Sequence, residues 1–181
     1  MKNLKLSNAN LDKIKIDTIK SPSTGHIHGG TYIGERKDDK MDGEGTYLYK
    51  DGSKYIGQWK NDQMSGQGTH TWPDGEKYIG EWKNDEKYGY GVYTWPDGEK
   101  YIGHWENGEK CGHGVYIWSD GDIYTGEWKN DSRHGEGVHT HPDGEKYIGQ
   151  WKDDRRSGKG MYVYADGRVL TGEFKDDEFV E

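Results

Sequence analysis

The chain has 181 residues and a formal charge of −8, from 25 basic and 33 acidic side chains. Leu, Ile, Val and Phe make up only about 13% of it, under the roughly 20% below which a charged chain is expected to stay disordered. Eight Trp and 14 Tyr exclude that outcome, and with 29 Gly they point to a thin β-structure held by ring contacts rather than by a thick aliphatic core.

No stretch approaches the roughly 20 apolar residues of a membrane span. The N-terminal MKNLKLSNANLDKIKIDTIK is charged but lacks a continuous apolar core and a small-residue cleavage site, so no secretory signal is expected. A single cysteine, Cys111, forbids an internal disulfide framework and fits a reducing compartment. A net acidic chain is poorly matched to nucleic acid, whose binding is led by basic phosphate contacts. A cytoplasmic protein is expected.

Residues 1–31 carry five Lys against Asp12 and Asp17, net +3, which leaves −11 on residues 32–181. Leu4, Leu6, Leu11, Ile14, Ile16 and Ile19 could form a cap over the open edge of the segment from residue 32 onward; a mobile basic tail is the alternative. Ser21-Pro-Ser-Thr-Gly25 reads as linker.

From Tyr32 the chain repeats itself every 23 residues: 32–54, 55–77, 78–100, 101–123, 124–146 and 147–169, then a half unit 170–181, without insertion or deletion. In each unit two strand-like segments alternate. Tyr78-Ile-Gly-Glu-Trp82-Lys puts Tyr78, Gly80 and Trp82 on one face. Gly89-Tyr-Gly91-Val-Tyr93-Thr-Trp95 puts Gly89, Gly91, Tyr93 and Trp95 together, with Tyr90, Val92 and Thr94 opposite. Asn84–Lys87 between them reads as a polar turn, and Trp95-Pro-Asp-Gly98-Glu as a Pro-initiated turn with Gly in the left-handed position. Strand-interior glycines are expected to leave room for rings lying over the backbone. The expected fold is all-β: one elongated antiparallel array of stacked β-hairpins, about 13 strands and roughly 60 Å long.

The unit Y-x-G-x-W-(K/E)-(N/D)-(D/G)-x-x-x-G-x-G-x-x-x-x-x-D-G resembles the MORN motif (membrane occupation and recognition nexus). Arg36 departs from it by standing in the Trp slot, and Leu170 by standing in the Tyr slot. Asp85 occupies a position that is usually Gly, kept here only as Gly108. The resemblance implies a hairpin array that binds or tethers. In junctophilins, plant phosphatidylinositol phosphate kinases and a histone lysine methyltransferase, such repeats accompany other segments. No Gly-rich phosphate loop, catalytic-loop pattern or metal-binding Asp motif is present, so a lipid-kinase label would be inherited from the repeats alone.

The remaining chemical candidates are few. His139 and His141 share a strand face, as do His26 and His28, but His139 and His141 fill slots held elsewhere by Tyr and Trp; the sequence indicates no third or fourth ligand. Cys111 has Lys110 beside it, which would lower its pKa, but no oriented base. Asp38, Asp39 and Asp42 resemble part of a calcium loop, with Lys40 where a ligand belongs and no Glu at the twelfth position. No catalytic residue, cofactor or metal is expected.

The expected function is a non-catalytic scaffold or adaptor. It would bind a protein partner, or a second copy of itself, through an aromatic face formed by Tyr78, Trp82, Tyr93, Trp95, Tyr101, Trp105, Tyr116 and Trp118. Open strand edges favour the homodimer. Peripheral phospholipid (phosphoinositide) binding is the alternative, opposed by the −11 of the array. It is favoured only by the five N-terminal Lys and by Lys152, Arg155, Arg156 and Lys159.

Overall fold

The computed structural model describes residues 29–180; the expectation of a cap or tail over the N-terminal segment lies outside them up to residue 28. Among the described residues there is no helix. Fourteen strands succeed one another: β1 (Thr31–Lys37), β2 (Lys40–Leu48), β3 (Lys54–Lys60), β4 (Gln63–Thr71), β5 (Lys77–Lys83), β6 (Glu86–Thr94), β7 (Lys100–Glu106), β8 (Glu109–Ile117), β9 (Ile123–Lys129), β10 (Ser132–Thr140), β11 (Lys146–Lys152), β12 (Arg155–Val163), β13 (Val169–Lys175) and β14 (Glu178–Phe179). They form a single sheet in sequence order, each antiparallel to its neighbours. The array is therefore all-β, with one strand more than the repeat count implies, because the half unit closes with the two-residue β14.

Two turns alternate along the ribbon. Within a unit the connection is two residues long, with Asn84 at φ 51° and Asp85 at φ 69°. Two consecutive left-handed residues make a tight hairpin whose twist matches its strands, and Asn and Asp tolerate that region better than other side chains. The turn is thus shorter than the four residues expected, and Glu86 and Lys87 already belong to β6. Between units the Trp95 carbonyl accepts the Gly98 N–H at 3.1 Å, and the Glu99 carbonyl accepts the Trp95 N–H at 3.0 Å. The Asp97 carboxylate accepts the Glu99 N–H at 3.0 Å, and Gly98 sits at φ 95°. Trp95 accordingly opens the turn rather than ending the strand.

Pairing between units is regular, as in Gly91↔Gly103 and Tyr93↔Tyr101. Pairing within a unit is not. Gly80 faces Gly91, but Glu81 faces Tyr88 and Trp82 faces Lys87, so β6 bulges at Gly89-Tyr90. Gly89 takes φ 59°, and a Cβ there would meet the Glu81 carboxylate, on the face away from Trp82. Period-two alternation places Gly89 with the rings; the bulge reverses it and puts Lys87 there instead. Bulges raise local twist, and this one recurs once per hairpin.

Gly80 and Gly91 give the Tyr78 ring its seat. A Cβ on Gly80 would fall 2.6 Å from both the Tyr78 hydroxyl and the Gly91 Cα, and one on Gly91 would strike the Tyr78 ring. The ring lies flat on a glycine floor, in agreement with the room expected of strand-interior glycines.

Candidate functional site

One face of the sheet is the core. Tyr78 is wedged edge-on between two indoles, Trp82 of its own unit at 5.1 Å and Trp105 of the next at 5.5 Å. Tyr101 repeats this between Trp105 and Trp128, at 5.1 and 5.3 Å. The zigzag runs unbroken from Tyr32 to Phe174. Edge-to-face pairs contribute about 0.5–1.5 kcal/mol each beyond area burial, so the ladder couples every unit to the next. Polar ends of the rings are held too. The Tyr78 hydroxyl donates to the Glu81 carbonyl at 3.1 Å, and Trp82 Nε1 donates to the Gly68 carbonyl at 3.3 Å.

Beside this ladder runs a second row, in which Trp95 packs at 4.5 Å on Tyr93 and at 5.3 Å on Tyr116. The Tyr93 hydroxyl donates to the Glu76 carboxylate and that of Tyr116 to Glu99. Burial, followed by these carboxylates, pushes both phenols upward. A third row was not foreseen from the sequence. Lys87 Nζ lies 4.0 Å over the Trp105 ring, Lys110 Nζ 4.6 Å over Trp128, and the Arg133 guanidinium 4.3 Å over Trp151. Met41 and Met64 fill the same slot in the first two units. Burial pushes the Lys87 ammonium down to about 8 and also lowers Lys110.

The eight residues expected to form a contact surface are all on this face, but they do not stand alike. Tyr78 and Tyr101 are fully buried, and Trp82, Trp105, Tyr93 and Tyr116 are at most 8% exposed. Only Trp95 and Trp118 keep part of their rings in solvent. Strand alternation identifies a shared face; it does not reveal that rings of successive units cover one another.

The uncovered apolar surface is on the other face. Ile79↔Val92↔Ile102↔Val115↔Thr125↔Val138↔Ile148 are successive cross-strand partners, a stripe continuous across seven strands. Ile33, Ile56 and Ile79 are 46–47% exposed and Tyr90 is 52% exposed. Over the central units the stripe forms an open groove of about 520 Å³ lined by Tyr90, Ile102, Val115, Val138 and Ile148. Acidic side chains flank it on one side (Glu81, Glu127, Glu136) and lysines on the other (Lys77, Lys100, Lys146). The alternating Ile and Val were legible in the sequence, but the denser Tyr and Trp pattern outweighs them there.

The chemical candidates divide. Cys111 faces His104 across the strands, and burial, then Glu106, pushes its thiol up, so Lys110 does not activate it as its sequence position implied. Asp38 and Asp39 are the left-handed pair of a two-residue turn. Asp42 accepts the Asn61 N–H at 3.3 Å and pairs with Lys60 at 3.4 Å. Arg155 and Arg156 are turned onto Asp176 and Asp177, at 3.4 and 3.3 Å, which offsets two of the four cations of the sixth unit's basic patch. His26 and His28 lie outside the described residues. His139 and His141 do gain a third neighbour: an Asp122 carboxylate oxygen lies 3.1 Å from His139 Nε2 and 2.9 Å from His141 Nδ1. Burial first, then His141 and Arg133, favours the neutral form of His139.

Among the described residues no helix is long and apolar enough to cross a membrane. No curated protein sequence matches the chain. Solved structures similar to it at low identity include two domains. One is the SAS-4 (dCPAP) TCP domain of Drosophila melanogaster in complex with a proline-rich motif of Ana2 (dSTIL), 13% identical over 82% of this chain and 80% of that one, with a TM-score of 0.49. The other is the TCP10c domain of Drosophila melanogaster Sas-4, 11% identical over 83% and 89%, with a TM-score of 0.45. The MORN-repeat family matches residues 32–54, 55–77, 78–100, 101–123, 124–146 and 147–167, the same units, with the same boundaries up to the last, that the 23-residue period and the hairpins define. The chain belongs to the MORN-repeat family.

Proposed function

We propose that this protein is a non-catalytic cytoplasmic scaffold that holds a protein partner along its apolar stripe. The observation that carries the reading is the Tyr90–Ile102–Val115–Val138–Ile148 groove, exposed on one face of a sheet whose other face is already covered by its own rings. A contiguous apolar surface of this kind favours a partner. An acidic margin on one side and a lysine margin on the other match an extended polypeptide with apolar residues at alternate positions and mixed charge between them. Trp95 and Trp118 offer a second contact on the ring face, while the six buried rings act through the fold. A second copy of the chain is one form such a partner takes, through β1 or the short β14 at the ends of the sheet.

Capture from the native lysate, with Ile102→Glu plus Val138→Glu beside the wild type, tests the reading. The variant should melt as the wild type does and lose the partner. A partner retained by the folded variant but lost by Trp95→Ala plus Trp118→Ala would move the interface to the ring face. Strong retention of the chain on phosphoinositide vesicles at physiological salt would replace the protein-partner reading altogether.

A further inference from the structure

The unit that breaks the ring pattern breaks it at three linked positions. At three junctions between units a Glu just before the first strand meets a Tyr 17 residues later and a Trp or Tyr 19 residues later. The sets are Glu76/Tyr93/Trp95, Glu99/Tyr116/Trp118 and Glu145/Tyr162/Tyr164. In each the phenol donates to the carboxylate, as Tyr162 does to Glu145 at 2.5 Å. Between the second and third of these sets stands Asp122/His139/His141, in which all three differ together. His70, the other histidine in a Tyr slot, has Ser53 rather than an acidic residue 17 positions before it and keeps its Trp72 neighbour. A ring replacing a ring accounts for His70; it does not account for a shortened acid arriving with two imidazoles.

We propose that Asp122, His139 and His141 form a binding site for one divalent transition-metal ion of the zinc type. The three ligand atoms lie within 4.8 Å of one another. His139 Nε2 and His141 Nδ1 bracket one Asp122 oxygen at 3.1 and 2.9 Å, and their ring centroids are 4.6 Å apart. Bonds of about 2.0–2.2 Å from an ion to two imidazole nitrogens and a carboxylate oxygen require donors somewhat over 3 Å apart. The side chains therefore need to open only slightly to admit the ion. His139 Nε2 is shielded from solvent and points at the Asp122 oxygen, so the nitrogen already faces the other prospective ligands. Asp122 and His139 are 18% and 16% exposed while His141 is 37% exposed, so the site opens on one side for a water or an exogenous fourth ligand.

The backbone beneath is fixed before any ion arrives. The Asp122 carbonyl accepts the Trp118 N–H at 2.9 Å, and the His141 carbonyl accepts the Gly144 N–H at 3.0 Å. Two nitrogens and one oxygen select borderline ions such as Zn²⁺, Co²⁺ or Ni²⁺ over Mg²⁺ and Ca²⁺, which take all-oxygen shells. The nearest cation, Arg133, is occupied by the Asp154 carboxylate at 3.1 Å and its carbonyl at 2.9 Å, which offsets its repulsion. Because Asp122 and the two histidines come from successive units, the ion would brace that junction.

The test uses the full chain after chelator treatment, titrated with Zn²⁺ by calorimetry and with Co²⁺ by visible absorption. One ion per chain, an intense tetrahedral Co²⁺ spectrum and a Zn²⁺-dependent rise in Tm are expected. His139→Tyr plus His141→Trp restores what the preceding unit carries, so the fold should survive while affinity drops by about 100-fold or more. Asp122→Asn, a second and milder variant, should lose at least about tenfold. No uptake by the wild type, or uptake undiminished in the double variant, overturns the site.

Discussion

The Asp131 carboxylate accepts the Lys110 backbone N–H at 2.9 Å, while the Asp131 N–H donates to the Lys110 carbonyl at 3.1 Å. That two-way clasp ties a two-residue turn to the unit before it. It recurs as Met41–Asp62, Met64–Asp85, Arg133–Asp154 and Arg156–Asp177. It explains why this chain keeps Asp at a turn position that backbone geometry alone would give to Gly. At Asn107-Gly108 half of it is missing: the Gly108 N–H still reaches the Lys87 carbonyl at 3.0 Å, but no carboxylate returns. Trp105 Nε1 at the same junction is buried without a partner, unlike its counterparts in Trp82 and Trp128.

Gly108→Asp should therefore stabilise the array by about 1 kcal/mol, the typical net worth of one hydrogen bond. Space is open, since a Cβ at Gly108 meets nothing within 4 Å, and Asp is held at φ 63–72° in the equivalent turns. Amide exchange at Lys87, faster than at Lys110 in the wild type, should slow to match it. Unchanged exchange would mean that the clasp contributes nothing.

Gly91→Ala should act in the opposite direction, by about 2 kcal/mol or more, because the added methyl strikes the Tyr78 ring against a backbone that cannot retreat. Gly98→Ala provides the contrast: there the Cβ meets open space and only the φ of 95° opposes it. Thermal melts of the two variants should separate clearly.

Trp105→Ala should cost about 3–5 kcal/mol as a buried aromatic truncation. Trp95→Ala, half-exposed at the turn, should cost no more than about 1–2 kcal/mol, in proportion to the smaller area it removes from water. Denaturant titrations that found the two equal would show the second row to be as structural as the first.

Lys87 sets a pH signature. Its folded pKa, about 8, lies below the ordinary 10.5, so between those values the unfolded chain holds a proton that the folded chain has released. Stability should rise with pH across that interval. From about pH 10 the buried phenols reverse the trend, because their folded pKa values are raised and the unfolded phenols ionise first. Lys87→Met, which copies Met64 of an earlier unit, should flatten the rise between about pH 8 and 10 without abolishing the fall above it. Melts across that range in both proteins check this.

The sequence by itself determined the repeat, the antiparallel hairpins and their order, because a 23-residue period with alternating Tyr-x-Gly-x-Trp and Gly-x-Gly segments leaves the backbone one way to fold. It also determined that the rings share a face and that glycine makes room for them. Which face keeps apolar side chains exposed was decided only in three dimensions. Tyr78 is buried by Trp105 of the following unit, and Ile79, one residue on, is exposed on a surface that no described residue covers. The bulge at Gly89-Tyr90 likewise moved Lys87 among the rings, out of step with period-two alternation. Asp122 joined His139 and His141 for the same reason: residues 17 and 19 apart meet only when one hairpin is laid against the next. Local pattern encodes the strands, and contacts between successive hairpins, which no single unit contains, select what the surface presents.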